Sequence, residues 1–110
     1  MELISFSYKK HAVPEADHVV DCRDLLNPHR HLELKSLDGR DHKVQQFVLG
    51  DQQAHEILAD LMDHKYPQKS IKRIAFGCVG GRHRSVAMAE VFAERLKKLG
   101  ENPLTTHLAL

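Results

Sequence analysis

The chain has 110 residues, a net charge of +1 with nine histidines, and 42% apolar residues. A chain of this length buries about 60–70% of its unfolded surface, so residues 1–110 are expected to form one domain without a disulfide or metal staple. The apolar content excludes a disordered chain, the charge balance does not announce a nucleic-acid binder, and no run approaches the ~18 apolar residues of a membrane span. Glu2 and Lys9-Lys10 interrupt the only early apolar run, which argues against a signal peptide and for a cytoplasmic protein with no membrane partner. The two cysteines, Cys22 and Cys78, do not form a metal spacing, and His29-x-His31 is accompanied by no C-x-x-C or H-x3-H, which argues against a zinc site built from it and a cysteine, so no metal and no cofactor are expected.

In chain order, Leu3 to Tyr8 alternates with Ile4, Phe6 and Tyr8 on one side, which predicts a half-buried strand. Lys9 to Asp17 is polar and contains Pro14, a loop. His18 to Cys22 is a short β-branched run and the second strand. Asp21 and Arg23 then lie at its carboxyl end, where open α/β sheets place ligands; the two could equally pair with each other. In Asn27-Pro28-His29, proline fixes its own φ and holds Asn27 out of the helical region, making a rigid turn that presents an amide and an imidazole. The spacing predicts an extended segment over 31–36 and a turn at Asp38-Gly39. Val44, Phe47 and Val48 predict a helix ended by Gly50, and Asp51 caps a second with Ala54, Leu58, Leu61 and Met62 on its core face, ending at Pro67.

The richest stretch follows. Ile74-Ala75-Phe76 reads as a buried strand, and Ala89, Phe92, Leu96 and Leu99 recur at helical spacing. Between them lies Gly77-Cys78-Val79-Gly80-Gly81-Arg82-His83-Arg84-Ser85. A glycine turn feeding a helix start presents backbone N–H groups to an anion, helped by roughly half a positive charge at the helix N-terminus. Gly80 and Gly81 are candidates for positive φ, Arg82 and Arg84 supply guanidinium forks, His83 a donor that titrates near neutrality, and Ser85 a helix cap and a hydroxyl. This points to a phosphate-binding loop. It fits neither G-x-x-x-x-G-K-S/T nor G-x-G-x-x-G. Glu94 and Lys98 are expected to pair, Gly100 to close the helix, and residues 103–110 to form a last strand.

The stretch Gly77 to Val86 resembles the GCTGG-x-HRSV signature of the C-terminal domain of the RapZ (YvcJ) family of RNase adapter proteins. Pro14 to Asp17, Val20 to Arg23 and Asn27 to His29 are similar to that family's "ADxVFDVRFLPNPH" region, and Gly39-Arg40-Asp41 sits where the family has Gly, Leu or Thr, then Asp. The resemblance implies a small three-layer α/β domain with a mostly parallel sheet, like the sugar-phosphate domain of phosphofructokinase-like folds. It implies a pocket for a phosphorylated amino sugar such as glucosamine-6-phosphate, or a nucleotide sugar, in a regulatory sensor or adaptor that is not an enzyme. Gly80, Gly81, His83, Arg84 and Ser85 would hold the phosphate; Cys78, Val79, Arg23, Asn27 and His29 would contact the sugar or shape its pocket. It also implies self-association, RNA as a further partner, and a P-loop NTPase domain, expected here on a separate chain.

Four departures bear on these expectations: Val79 replaces a threonine, Arg30 an aromatic residue, Leu108 an arginine after His107, and the basic tail is absent. Fewer cations weaken the case for RNA, for which Arg82, Arg84, Lys97 and Lys98 are the candidates. The loop also satisfies C-x5-R-S/T and so resembles cysteine-dependent phosphatases, with Cys78 as nucleophile, Arg84 as clamp and Asp21 or Asp41 as general acid.

Overall fold

The computed structural model describes residues 1–110. Its framework is a four-stranded, all-parallel sheet in the order β2-β3-β1-β4, with β1 at Glu2–Ser7, β2 at His18–Asp21, β3 at Arg73–Cys78 and β4 at Leu104–His107. The first strand is therefore interior. Leu3, Ser5, Phe6 and Ser7 are all buried, because β1 is flanked by β3 and β4 instead of lying half-open to solvent as its alternation suggests.

Register decides which side chains share a face. Leu3, Ser5 and Ser7 stand opposite Ile74, Phe76 and Cys78, and Val20 opposite Phe76, so these point together to one side. That side carries the helices α1 (Leu32–Lys35), α2 (His42–Val48), α3 (Gln52–Asp60) and α4 (Arg84–Lys98). Leu3, Ile74 and Phe76 join Val44, Val48, Leu58, Phe92 and Leu96 in one core. On the other side no helix lies over Phe6 and Ala75, yet both are fully buried. The chain between β1 and β2 crosses there: Arg73 donates to the Glu15 carbonyl, and the Asp17 carboxylate accepts from the Lys72 and Arg73 amides. The layers are thus helices, sheet and an irregular covering segment.

Local chemistry explains the helix limits. Asp41 and Asp51 each accept the amide two residues on, capping α2 and α3. Past α3, residues 61–65 widen into a π-type turn in which Tyr66 donates to Leu61, one turn before Pro67. Residues 31–36, expected extended, instead include α1. Leu32 is 88% exposed, and the apolar pair turned inward is Leu34 and Leu37 at helical spacing. Glu94 pairs with Lys97, not Lys98. Gly100, at φ +87°, ends α4 in the left-handed region. No helix is long and apolar enough to cross a membrane.

The connections from the neighbouring strands β1 and β3 leave in opposite directions, one to β2 and the other, through α4, to β4. In parallel sheets the crevice outside the carboxyl ends of two such strands is where ligands bind.

Candidate functional site

β3 ends at Cys78, and the chain turns through Val79–Arg82 into α4. The buried Ser7 hydroxyl donates to the Val79 carbonyl at 2.6 Å and accepts the Lys10 amide at 3.1 Å, so the turn and the residues after β1 are fastened together. Gly81 alone in this loop has positive φ, +70°, and a Cβ there would lie 2.9 Å from the Ser7 amide nitrogen. Gly80 has a negative φ and open space around it.

Behind the turn, the Cys78 thiol is 3.1 Å from the Ser85 hydroxyl, and the Ser85 amide donates to Sγ at 3.4 Å. Ser85 is therefore inside the first turn of α4 and is not its cap; His83 occupies that position and offers no side-chain bond to the helix. Arg84 is 7% exposed, and its guanidinium donates to the carbonyls of Arg23 and Leu25. It joins the loop to the segment after β2.

These pieces surround a cavity of about 630 Å³ outside the carboxyl ends of β1 and β3. Cys78, Val79, Gly80, His83 and Arg84 line it from the loop, and Asn27 and His29 from the turn after β2. Residues some fifty positions apart in the chain thus face one space. Asn27 accepts the His29 amide in its side chain, which sets the short 3-10 turn Pro28–Arg30. His83 is 8% exposed, its Nε2 has no partner, and its ring lies 6.1 Å from that of His29. Burial lowers the His83 pKa from its ordinary 6.5, the nearby Leu37 and Lys35 carbonyls offset this in part, and Arg82 and His29 add to it.

The other expected site residues are placed elsewhere. Gly81 shapes the loop, and Ser85 lies behind Cys78; neither lines the cavity. Arg23 stacks over the Tyr8 ring at 3.8 Å and pairs with Asp21 at 2.7 Å, and Arg23, first among the causes, lowers the Asp21 carboxyl. Asp21 faces a separate groove with His18 and Glu56, while Asp41 is committed to capping α2. No carboxylate lines the cavity beside Cys78. Lys97 and Lys98 are at the far end of α4, about 20 Å from Arg84, so the four candidate RNA-binding cations do not form one patch.

Several contributors escaped the sequence reading. Lys9, Lys10 and Lys35 reach the cavity. Lys9-Lys10 carried a signal, because the carboxyl-end rule that drew attention to Asp21 applies equally to β1. Gly39 is another: a Cβ there would come within 2.2 Å of the Ala87 amide nitrogen and 2.5 Å of the His83 carbonyl, so only glycine lets this segment lie against the start of α4.

Residues 1–110 match the family described as the RapZ C-terminal domain. Proteins called nucleotide-binding protein are 42% identical to this chain over 105 residues in Acidothermus cellulolyticus, 43% over 115 in Desulforapulum autotrophicum and 37% over 118 in Ruegeria sp.. These matches cover 88, 97 and 100% of this chain but only 34, 39 and 39% of the relatives, so the chain spans little more than a third of their length. With its whole length matched, the chain belongs to the RapZ C-terminal domain family.

Proposed function

We propose that this chain is a binding module for a phosphorylated amino sugar, glucosamine-6-phosphate or a nucleotide sugar, serving as a sensor or adaptor in a regulatory assembly. The observation that carries this reading is the cavity where the glycine loop at the start of α4 meets Asn27 and His29. The loop, His83 and Arg84 suit a phosphate, and the rigid turn suits sugar hydroxyls. The nucleotide that gives the relatives their name is expected to bind in the part of those proteins that this chain does not span.

The test is phosphorus NMR with excess glucosamine-6-phosphate. A shifted or broadened line without new signals is expected. Arg84→Lys, which forfeits the fork, should weaken binding by roughly tenfold or more, and His29→Ala should weaken it without altering the fold. An unchanged line with the wild-type protein refutes the reading. The pairing of Cys78 with Ser85 favours one other reading, a phosphatase in which the Cys78 sulfur forms a bond to phosphorus, the P–O bond to the sugar breaks with a solvent proton going to the leaving oxygen, and water then breaks the S–P bond to release phosphate. Growth of an inorganic phosphate signal, abolished in Cys78→Ser, would establish that reading instead.

A further inference from the structure

The cavity has more positive charge than one phosphate requires. Five permanent cations line it (Lys9, Lys10, Lys35, Arg82 and Arg84), out of sixteen lysines and arginines in the chain, and none of the fifteen aspartates and glutamates does. On a molecule with a net charge of +1, that is a local concentration of one sign. The five also lack carboxylate partners: Arg23, Arg40, Lys65, Arg73 and Lys97 are in ion pairs, and none of the cavity's cations is.

The cations come from three places in the chain. Arg82 and Arg84 flank the start of α4, beside the glycine turn. Lys9 and Lys10 follow β1, held at the rim because the Lys9 amide reaches the Val79 carbonyl at 3.4 Å and the Lys10 amide the Ser7 hydroxyl. Lys35 comes from α1, which follows the turn that carries His29. A phosphate monoester, with at most two charges, is matched by the two arginines and the helix end alone. The cavity, at about 630 Å³, lies in the middle of the range for small-molecule and cofactor clefts, so a ligand with two phosphoryl groups can be accommodated.

We infer that Lys9, Lys10 and Lys35 form a second anion subsite, and that the preferred ligand is a sugar carrying two phosphoryl groups. This rests on the phosphosugar reading above and narrows its ligand class. Two sources share that chemistry: a sugar bisphosphate, with the groups at opposite ends of the ring, and a nucleoside-diphosphate sugar, with the groups adjacent.

Titration calorimetry at fixed pH and ionic strength tests it with three probes: glucosamine-6-phosphate, glucose 1,6-bisphosphate and UDP-N-acetylglucosamine. At least one doubly phosphorylated probe should bind about tenfold or more tightly than glucosamine-6-phosphate. The triple variant Lys9→Ala, Lys10→Ala, Lys35→Ala should erase that advantage, weakening the better doubly phosphorylated probe about tenfold more than it weakens glucosamine-6-phosphate. The better probe says whether the two groups are adjacent or apart. Equal affinity of all three probes overturns the second subsite and leaves the phosphosugar reading intact. An equal loss for all probes in the triple variant also overturns it, since the lysines would then act as a general field. Binding of no probe overturns both.

Discussion

His83 is a single residue whose protonation couples the site to stability. Burial lowers its folded pKa below 6.5, so below that pH the unfolded chain binds more protons than the folded one and stability falls; above it the contribution is fully present. Melting temperatures measured between pH 7.5 and 5.5 should therefore drop toward acid, and His83→Gln should flatten much of the slope. His18, also lowered chiefly by burial, leaves a residual slope of the same sign. A slope unchanged in His83→Gln would mean that the ring is not the titrating group. The identity of His83 as a site residue was legible from its loop, but its missing partner was not. The carbonyls that bear on its ring, those of Lys35 and Leu37, come from nearly fifty residues earlier in the chain.

Among the elements, β3, the glycine turn and α4 were legible because an apolar run, clustered glycines and a helical repeat follow one another without ambiguity. α1 was not, because four residues are too few for a periodicity and its first leucine is exposed to solvent. The packing of loop on helix was equally hidden. Gly39 donates to the Arg82 carbonyl at 2.8 Å and accepts from the Gln45 side chain at 2.9 Å, clamping the segment before α2 to the entry of α4. Gly39→Ala would drive a methyl group into backbone that cannot yield, and should destabilise the fold by about 3 kcal/mol in chemical denaturation. A loss below about 1 kcal/mol would show that the contact relaxes readily.

At the scale of the whole molecule, the strands could be read from the chain but their order could not, since parallel pairing is decided between residues seventy to a hundred positions apart. The edge strand β4 illustrates this. His107 stands opposite Ser5 in the register; Ser5 and the ring's Nδ1 are 2.6 Å apart, and Nε2 lies 3.1 Å from the Glu90 carboxylate. One imidazole thereby ties edge strand, central strand and α4. His107→Leu leaves the fully buried Ser5 hydroxyl without its partner and should cost about 2 kcal/mol in thermal or chemical unfolding. Adding Ser5→Ala should recover part of that, because removing both polar partners is cheaper than stranding one. A double variant worse than the sum of the singles would disprove the pairing's role.

The segment that covers the helix-free face of the sheet has a further implication. The stretch that crosses this face begins with Lys9 and Lys10 and ends at Asp17, bonded to Lys72 and Arg73, so the covering of the face and the rim of the cavity are one piece of chain. It has no regular secondary structure, and its attachments are a few hydrogen bonds near its two ends. Such a stretch is the place where a folded protein opens at least expense. Opening it would strip the cavity's edge, and an anion held at that edge would fasten it down. Occupancy of the site and resistance of this region to proteases or solvent exchange are therefore two views of one equilibrium.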